Sequence, residues 1–325
     1  MMPGPEGLYG VPAPAKINWF LHVLGRRPDG YHLLQTAFQF IDWCDRIDFE
    51  LRLDGRVTRA HVEGLPDDDL SLRAARLLQQ ATGCGLGAHL TLRKSVPAQA
   101  GLGGGSSDAA TTLLALNRLW GLGLSRQALC ALGLQLGADV PVFVAGRNAF
   151  AEGVGEVLVP VTLPAWDLVV AWPGRGLATA AVFGAATLAR DTPPVDVRAF
   201  KACLERRHLP GECDPALARA TTLVPPGLDF GHNDLQPVAR EALAELHAVE
   251  DWLRLRTGSR LVLMSGSGSA MFAPLLPTGE QNAPVPDPAW RVRACKALPV
   301  HPLHDWVGDA TTPRTGSEKG VDDGK

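Results

Sequence analysis

The chain has 325 residues, 20% of them charged, and a formal net charge of −3. That length suits two domains with a core each. The near balance of charge, with no basic block, lacks the electrostatic footprint of a nucleic-acid binder. Cysteines at 44, 84, 130, 203, 213 and 295 form no Cys-x-x-Cys pair. This argues against a zinc site or disulfide framework and for a reducing cytosol. The N-terminus has no basic region followed by an apolar core, so no secretory signal is expected. The longest uncharged stretch, 261–279, is broken by Gly, Ser and Pro and does not read as a membrane span.

Residues 1–12 read as a loose lead-in, 14–24 as a strand and 33–53 as one or two more, with alternation around Ile47 to Leu51. A helix is expected over 70–82 and a half-buried strand over 89–94. After Ser107, apolar side chains at 109, 113, 116 and 120 mark one helix face. Ser125 suits the N-cap of a further helix reaching Leu136. Residues 140–144 are short and apolar, and 153–160 form a turn and strand. Pro160 and Pro164 punctuate a domain boundary near 157–166, giving an N-terminal domain over 1–157 and a second over 158–306. In the second, 168–172 reads as a buried strand. Helices are expected over 179–189, 196–206 and, long and amphipathic, 237–256. Strands over 261–264 and 270–273 flank a second glycine loop at 265–269. Residues 274–290 resemble a surface insertion, and 307–325 a disordered tail. No repeat at a solenoid period is visible.

The most informative stretch is Pro97-Ala98-Gln99-Ala100-Gly101-Leu102-Gly103-Gly104-Gly105-Ser106-Ser107. A strand, a glycine loop and a helix start offer free backbone N–H groups and a positive dipole end to phosphate oxygens. Without Cβ atoms the backbone can approach a ligand closely. No Lys follows the glycines, which excludes a Walker loop, and Ser106 takes the last place of the dinucleotide fingerprint. The Ser106 and Ser107 hydroxyls could serve phosphate or metal. Ser107 also suits a helix N-cap.

Four motifs occur together in order: Pro14-Ala15-Lys16-Ile17-Asn18, the loop at 97–107, Gly137-Ala138-Asp139-Val140-Pro141, and Ser265-Gly266-Ser267-Gly268. In this the sequence resembles the GHMP kinases, small-molecule kinases that use ATP. Arg27-Pro28-Asp29-Gly30-Tyr31-His32, Gly153-Val154-Gly155-Glu156 and Asn233-Asp234-Leu235 resemble the branch whose acceptor is 4-diphosphocytidyl-2-C-methyl-D-erythritol. The resemblance spans about residues 13–273 and a further stretch near 298–306. It implies a two-domain α+β fold, with a ribosomal-protein-like N-terminal lobe, a ferredoxin-like C-terminal lobe and the active site between them. It also implies ATP with Mg2+, a cytidyl small-molecule substrate, a cytoplasmic enzyme, and no nucleic acid or membrane partner. A homoserine or mevalonate-type acceptor, or a nucleotide sensor that kept the fold, are the competing readings.

The resemblance makes Asp139 the general base, since a carboxylate beside the accepting hydroxyl can take its proton as the bond to phosphorus forms. Lys16 is a charge on an otherwise apolar strand, where charge is unusual. The resemblance pairs it with Asp139, and either of the two can carry the larger share of proton removal. Nucleotide contacts are implied for Lys94 and for the cradle Pro97, Ala98, Gln99, Ala100, Gly101, Leu102, Gly103, Gly104, Gly105, Ser106 and Ser107. A solvated strand-end lysine is the plainer reading of Lys94. Substrate contacts are implied for Asn18, Tyr31, His32, Thr179 and Phe183. Tyr31 and Phe183 would lie on the two faces of a cytosine ring and His32 at its edge. Read without the family, Phe183 is a core residue and Thr179 a helix cap. The 233–235 and 265–269 segments read as structural supports. The family often has Asn-Leu where this chain has Asp69-Leu70. Asp lacks the amide donor and adds a charge, so nucleotide selectivity is expected to differ.

Overall fold

A computed structural model describes residues 6–205 and 231–308. Strands β1 (Gly7–Arg26) and β2 (His32–Arg52) form a long antiparallel hairpin. Its turn places Gly30 at φ 90° and closes with the Arg27 N–H donating to the Tyr31 carbonyl at 2.7 Å. The lead-in expected over 1–12 is corrected here, because β1 already starts at Gly7. Gly and Pro suggested a loop, but register shifts between Leu8 and Val11 and between Pro14 and Ala15 absorb them. Val11 and Ala13 are buried.

The remaining strands are β3 (Val57–Arg59), β4 (Gly87–Arg93), β5 (Ala149–Glu152), β6 (Val157–Pro160), β7 (Asp167–Trp172), β8 (Leu263–Met264), β9 (Met271–Pro274) and β10 (Arg291–Leu298). They follow the order β3-β4-β2-β10-β7-β9-β8, with β1 on β2 and β6 joined through β5. Sequence reasoning did not find β10. Arg291, Arg293 and Lys296 are exposed and only Cys295 and Ala297 are buried, so its apolar signal is thin. Yet β10 pairs β7 from Arg291 to Lys296 and β2 at Ala297 and Leu298, joining the two halves of the molecule.

Helices α1 (Leu70–Thr82), α2 (Gly104–Leu119), α3 (Arg126–Leu136) and α4 (Val140–Ala145) share one core with β1, β2 and β4. Ser125 caps α3 as expected, its hydroxyl accepting from Ala128 N at 3.2 Å. Helices α5 (Thr179–Gly184), α6 (Val197–Glu205), α7 (Leu235–Ala242) and α8 (Glu245–Thr257) belong to the second half. Two expected helices are shorter than their patterns suggested. The one over 179–189 ends at Gly184, where Arg190 turns back to take the carbonyls of Phe183 and Ala185. The one over 237–256 is two helices, because Leu243 turns extended at φ −143°, ψ 91° and is buried in the core. The 274–290 stretch lies mostly exposed, as expected of a surface insertion, and is tied down at its far end. Trp252 donates to the Pro284 carbonyl at 2.7 Å, and its ring meets Trp290 edge-on at 6.1 Å. The expected tail lies outside the described residues from 309 onward, as does Cys213. Cys44, Cys130 and Cys295 are free thiols that burial pushes up to about 11, 11 and 12. All three therefore stay in the thiol form at neutral pH.

Candidate active site

One cavity of about 920 Å³ is lined by Lys16, Asn18, Tyr31, His32, Lys94, all of 97–106, Asp139, Thr179 and Phe183. Ser107 is the one expected site residue that does not line it. Nor does Ser107 cap α2. The helix starts three residues earlier with Gly103 as its cap, so Ser107 is an interior, fully buried position. Its N–H closes the first turn onto the Gly103 carbonyl at 2.8 Å.

The glycine loop is held by backbone from both halves of the molecule. Lys16 N donates to the Leu102 carbonyl at 3.0 Å, and Ala270 N to the Ala100 carbonyl at 3.0 Å. Gly101 has φ +74°, and a Cβ there would lie 1.9 Å from the Ser265 carbonyl oxygen. No other residue fits that position. The loop leads into the N-terminus of the sixteen-residue α2, whose first N–H groups have no side-chain cap. They remain available to an anion.

Lys16 is 2% exposed. Its ammonium donates to Asn18 Oδ1 at 2.6 Å and to the Gly101 carbonyl at 2.9 Å, and stands 3.6 Å from Asp139 Oδ2. The Phe38 ring lies 5.4 Å away. Burial lowers the Lys16 pKa, and the Asp139 carboxylate partly offsets this. Asp139 occupies the N-cap place of α4, but its side chain makes no capping hydrogen bond. It remains about one-third exposed beside Lys16. Asn18 is oriented in turn, its Nδ2 donating to Thr36 Oγ1 at 2.8 Å.

Lys94 is not a solvated strand end. It pairs with Asp45 and Asp108, both buried. Burial acts to lower its pKa, but the two carboxylates outweigh it and hold the lysine above its ordinary value. Asp108 is pushed up to about 7 by burial and by Asp45, against the pull of Lys94. Neither acid was found from sequence. Asp45 lies in an alternating strand where an acid reads as solvated, and Asp108 directly follows the motif's serines. Asp69 lines the cavity but its charge is committed. One oxygen caps α1 through Ser71 N at 2.7 Å and Leu72 N at 3.1 Å, and the other meets Arg59 at 2.7 Å.

Thr179 is the first residue of α5 rather than its cap, and its hydroxyl contacts Ser267 Oγ at 2.9 Å. Tyr31 is exposed, and His32 packs against the Phe183 ring at 5.1 Å. Burial and the nearby Arg190 and Arg26 lower the His32 pKa. Asn233 and the 265–269 loop act together. Asn233 Nδ2 donates to the Met264 and Gly266 carbonyls, both at 2.8 Å. Ser265 Oγ donates to the Gly101 carbonyl at 2.9 Å.

The model of the GHMP kinases N terminal domain matches residues 69–147, the span from the start of α1 past α4. A 4-diphosphocytidyl-2-C-methyl-D-erythritol kinase of Variovorax paradoxus (strain S110) is 49% identical over 93% of this chain and 99% of its own length. The chain belongs to the GHMP kinases. Within this family its relatives also include the 4-diphosphocytidyl-2-C-methyl-D-erythritol kinase of Methylibium petroleiphilum, 49% identical over 93% of this chain and 99% of that one. A crystal structure of 4-(cytidine 5'-diphospho)-2C-methyl-D-erythritol kinase superimposes with a TM-score of 0.69 at 36% identity, covering 90% of this chain and 98% of that one. The GHMP kinase fold extends to an L. major mevalonate kinase, with a TM-score of 0.59 at 16% identity over 91% of this chain and 98% of that one. At that identity the likeness concerns architecture alone. The likeness gives the chain the two-domain α+β fold of the GHMP kinases. Among the described residues no helix is long and apolar enough to cross a membrane.

Proposed function

We propose that this GHMP kinase transfers the γ-phosphoryl group of ATP to the 2-hydroxyl of 4-diphosphocytidyl-2-C-methyl-D-erythritol, in the non-mevalonate route to isoprenoids. The observation that carries the reading is the buried Lys16 ammonium 3.6 Å from Asp139. The pair lies on the wall of a cavity shared by the glycine cradle and by Tyr31, His32 and Phe183. The relatives' names support the acceptor. The ATP-binding domain is assigned to 1–157 and the second domain to 158–306.

Phosphoryl transfer asks a protein for positioning and charge stabilisation more than for covalent chemistry. Asp139 takes the proton of the accepting hydroxyl. Two Lys16 N–H groups are used by Asn18 and Gly101. The third is left for Asp139 and for the oxygen that gains charge as its proton departs. The loop from Pro97 to Ser106 and the start of α2 receive the phosphates, and Lys94 contacts the nucleotide. Tyr31 and Phe183 hold the cytosine faces, His32 its edge, and Asn18 and Thr179 the remaining polar groups.

The residues also fit a magnesium ion carried by the nucleotide. Ser106 and Asp108 line the cavity with hard oxygen donors, and Asp108 Oδ1 is buried without a hydrogen-bond partner. Among the described residues no cluster of three His, Cys, Asp or Glu is present. Ser106 and Asp108 would hold such an ion together with the nucleotide, since Mg2+ takes few protein ligands. When bound, the ion neutralises charge on the β- and γ-phosphates.

Phosphorus NMR of the protein with ATP, Mg2+ and the cytidyl substrate tests the reading. One new phosphomonoester resonance per ADP formed is expected. Intact ATP in the presence of folded protein would overturn the acceptor. Asp139→Asn is expected to abolish turnover while nucleotide affinity, measured by calorimetry, changes little. Near-normal turnover would remove Asp139 from the base role.

A further inference from the structure

Arg190 is a residue to which sequence reasoning gave no part. Its guanidinium is spoken for on three sides by backbone carbonyls. Nη1 donates to Leu188 O at 3.0 Å, and Nη2 donates to Phe183 O at 3.0 Å and Ala185 O at 2.8 Å. The last two carbonyls lie at the end of α5, where a cation is favourably placed. The remaining nitrogen, Nε, donates to His32 Nε2 at 3.1 Å. One side chain thus ties the backbone of Phe183 to the ring of His32, and those two rings already lie 5.1 Å apart on the cavity wall.

The chemistry of that contact has only one solution. Arginine carries five N–H donors and no acceptor. His32 Nε2 must therefore present its lone pair, so the ring is neutral and its single proton resides on Nδ1. A protonated ring would set N–H against N–H. The positive charges of Arg190 and Arg26 and the partial burial of the ring act in the same direction. With Nε2 engaged, Nδ1–H is the one polar atom the ring has left, and it can only donate.

We infer that Arg190 is a positioning residue that locks His32 as a fixed Nδ1–H donor, and so makes the base site discriminate cytosine from uracil. Cytosine offers a lone pair at N3, where uracil carries a hydrogen. A donor that cannot switch tautomer pairs with the first and opposes the second. An unlocked imidazole could reverse its tautomer and accept from uracil. The inference rests on the cytidyl reading of the cleft, and its test separates the two.

Two substitutions dissect the contact. In Arg190→Gln an amide group falls at the same number of bonds from the backbone as arginine Nε; it can donate to His32 or accept from it, so the contact is kept without the lock, and the groups that hold the carbonyls are given up. Arg190→Lys has a methylene at that place. It keeps the charge and a donor for the carbonyls, but loses the contact with His32. Nitrogen-15 NMR of histidine-labelled protein reads the His32 tautomer without substrate. Competition by cytidine and uridine diphosphates against ATP-dependent turnover reads the discrimination.

In the parent protein Nε2 is expected to be unprotonated and the cytidine preference full. In both variants the tautomers are expected to mix, and the preference to fall about tenfold, the worth of one hydrogen bond. Turnover at saturating cytidyl substrate should stay within about twofold, because the phosphoryl chemistry is untouched. If Arg190 serves only to brace α5, lysine will outperform glutamine, and that ordering overturns the inference. So does a His32 found protonated at Nε2 in the parent protein. If cytidine diphosphate fails to compete with the parent protein, the cytidyl reading itself falls and the specificity inference falls with it. If it competes and Arg190→Lys keeps its full preference, only the inference about Arg190 is lost.

Discussion

Two lysines line the cavity, and burial acts on both with opposite outcomes. Lys16 has one carboxylate at 3.6 Å and two neutral acceptors, so burial wins and its proton is held less tightly. Lys94 has two buried carboxylates, which outweigh burial and hold its pKa above the ordinary value. The excess negative charge of that second cluster falls on Asp108, whose folded pKa of about 7 exceeds its ordinary 3.8. The native state therefore keeps a proton that the unfolded chain releases. Asp108 makes stability fall as pH rises from about 4 to about 7, and adds no slope above. Thermal unfolding of Asp108→Asn across that range should lack this decline, and a curve parallel to the parent's would contradict the cluster. Lys16 was legible because a charge inside an apolar strand stands out, and Asp139 because it lies in a motif. Asp45, Asp108 and Arg190 were not, because their partners lie 49, 14 and 158 residues away. Nothing local distinguishes such residues from solvated surface charges.

At the scale of elements, the glycine loop is the most constrained segment. Gly101→Ala places a methyl group into the Ser265 carbonyl and demands a left-handed backbone of an alanine. The conformation alone costs about 1 kcal/mol, and the clash forces the 265–269 loop away. Lower melting temperature and at least a tenfold rise in KM for ATP are expected together. Unchanged kinetics would show that the two loops need not touch. The elements read correctly from sequence, among them α1, β4 and α3, carry strong periodicity and explicit caps such as Asp69 and Ser125. The misread ones each obey a tertiary demand. The α7–α8 break exists because Leu243 is buried between two helices, and β10 exists because β2 and β7 both offer it hydrogen bonds.

At the scale of the molecule, the segment after β10 returns to the first half and is fastened there. Arg126 donates to the carbonyls of Val144 at 2.8 Å and His304 at 2.6 Å, and also reaches those of Ala145 and Val307. Arg126→Ala leaves several part-buried carbonyls unpaired and should cost about 3 kcal/mol in denaturant unfolding. A loss below about 0.5 kcal/mol would mean that water replaces the guanidinium. His301 is buried beside Phe40 and Phe143, its Nδ1 accepting from Leu303 N at 3.1 Å. Burial, with Arg126 and His304 nearby, depresses its pKa to about 3 from an ordinary 6.5. The unfolded chain then takes up the proton first, and stability drains away as pH falls from 6.5 towards 3. This slope opposes that of Asp108. His301→Gln should flatten the acid limb of the stability curve and Asp108→Asn should steepen it, two changes that thermal melts can separate.

The Gly101 carbonyl oxygen accepts from the Lys16 ammonium and also from the Ser265 hydroxyl. One atom thereby serves as an interlock. During synthesis the first half of the chain, with Lys16, Asp139 and the glycine loop, emerges long before residue 265. Until the second half arrives, the loop lacks the contacts that set Gly101, and Lys16 lacks the fixed acceptor that aims it. A ribosome-bound or truncated fragment is in this sense an unarmed kinase.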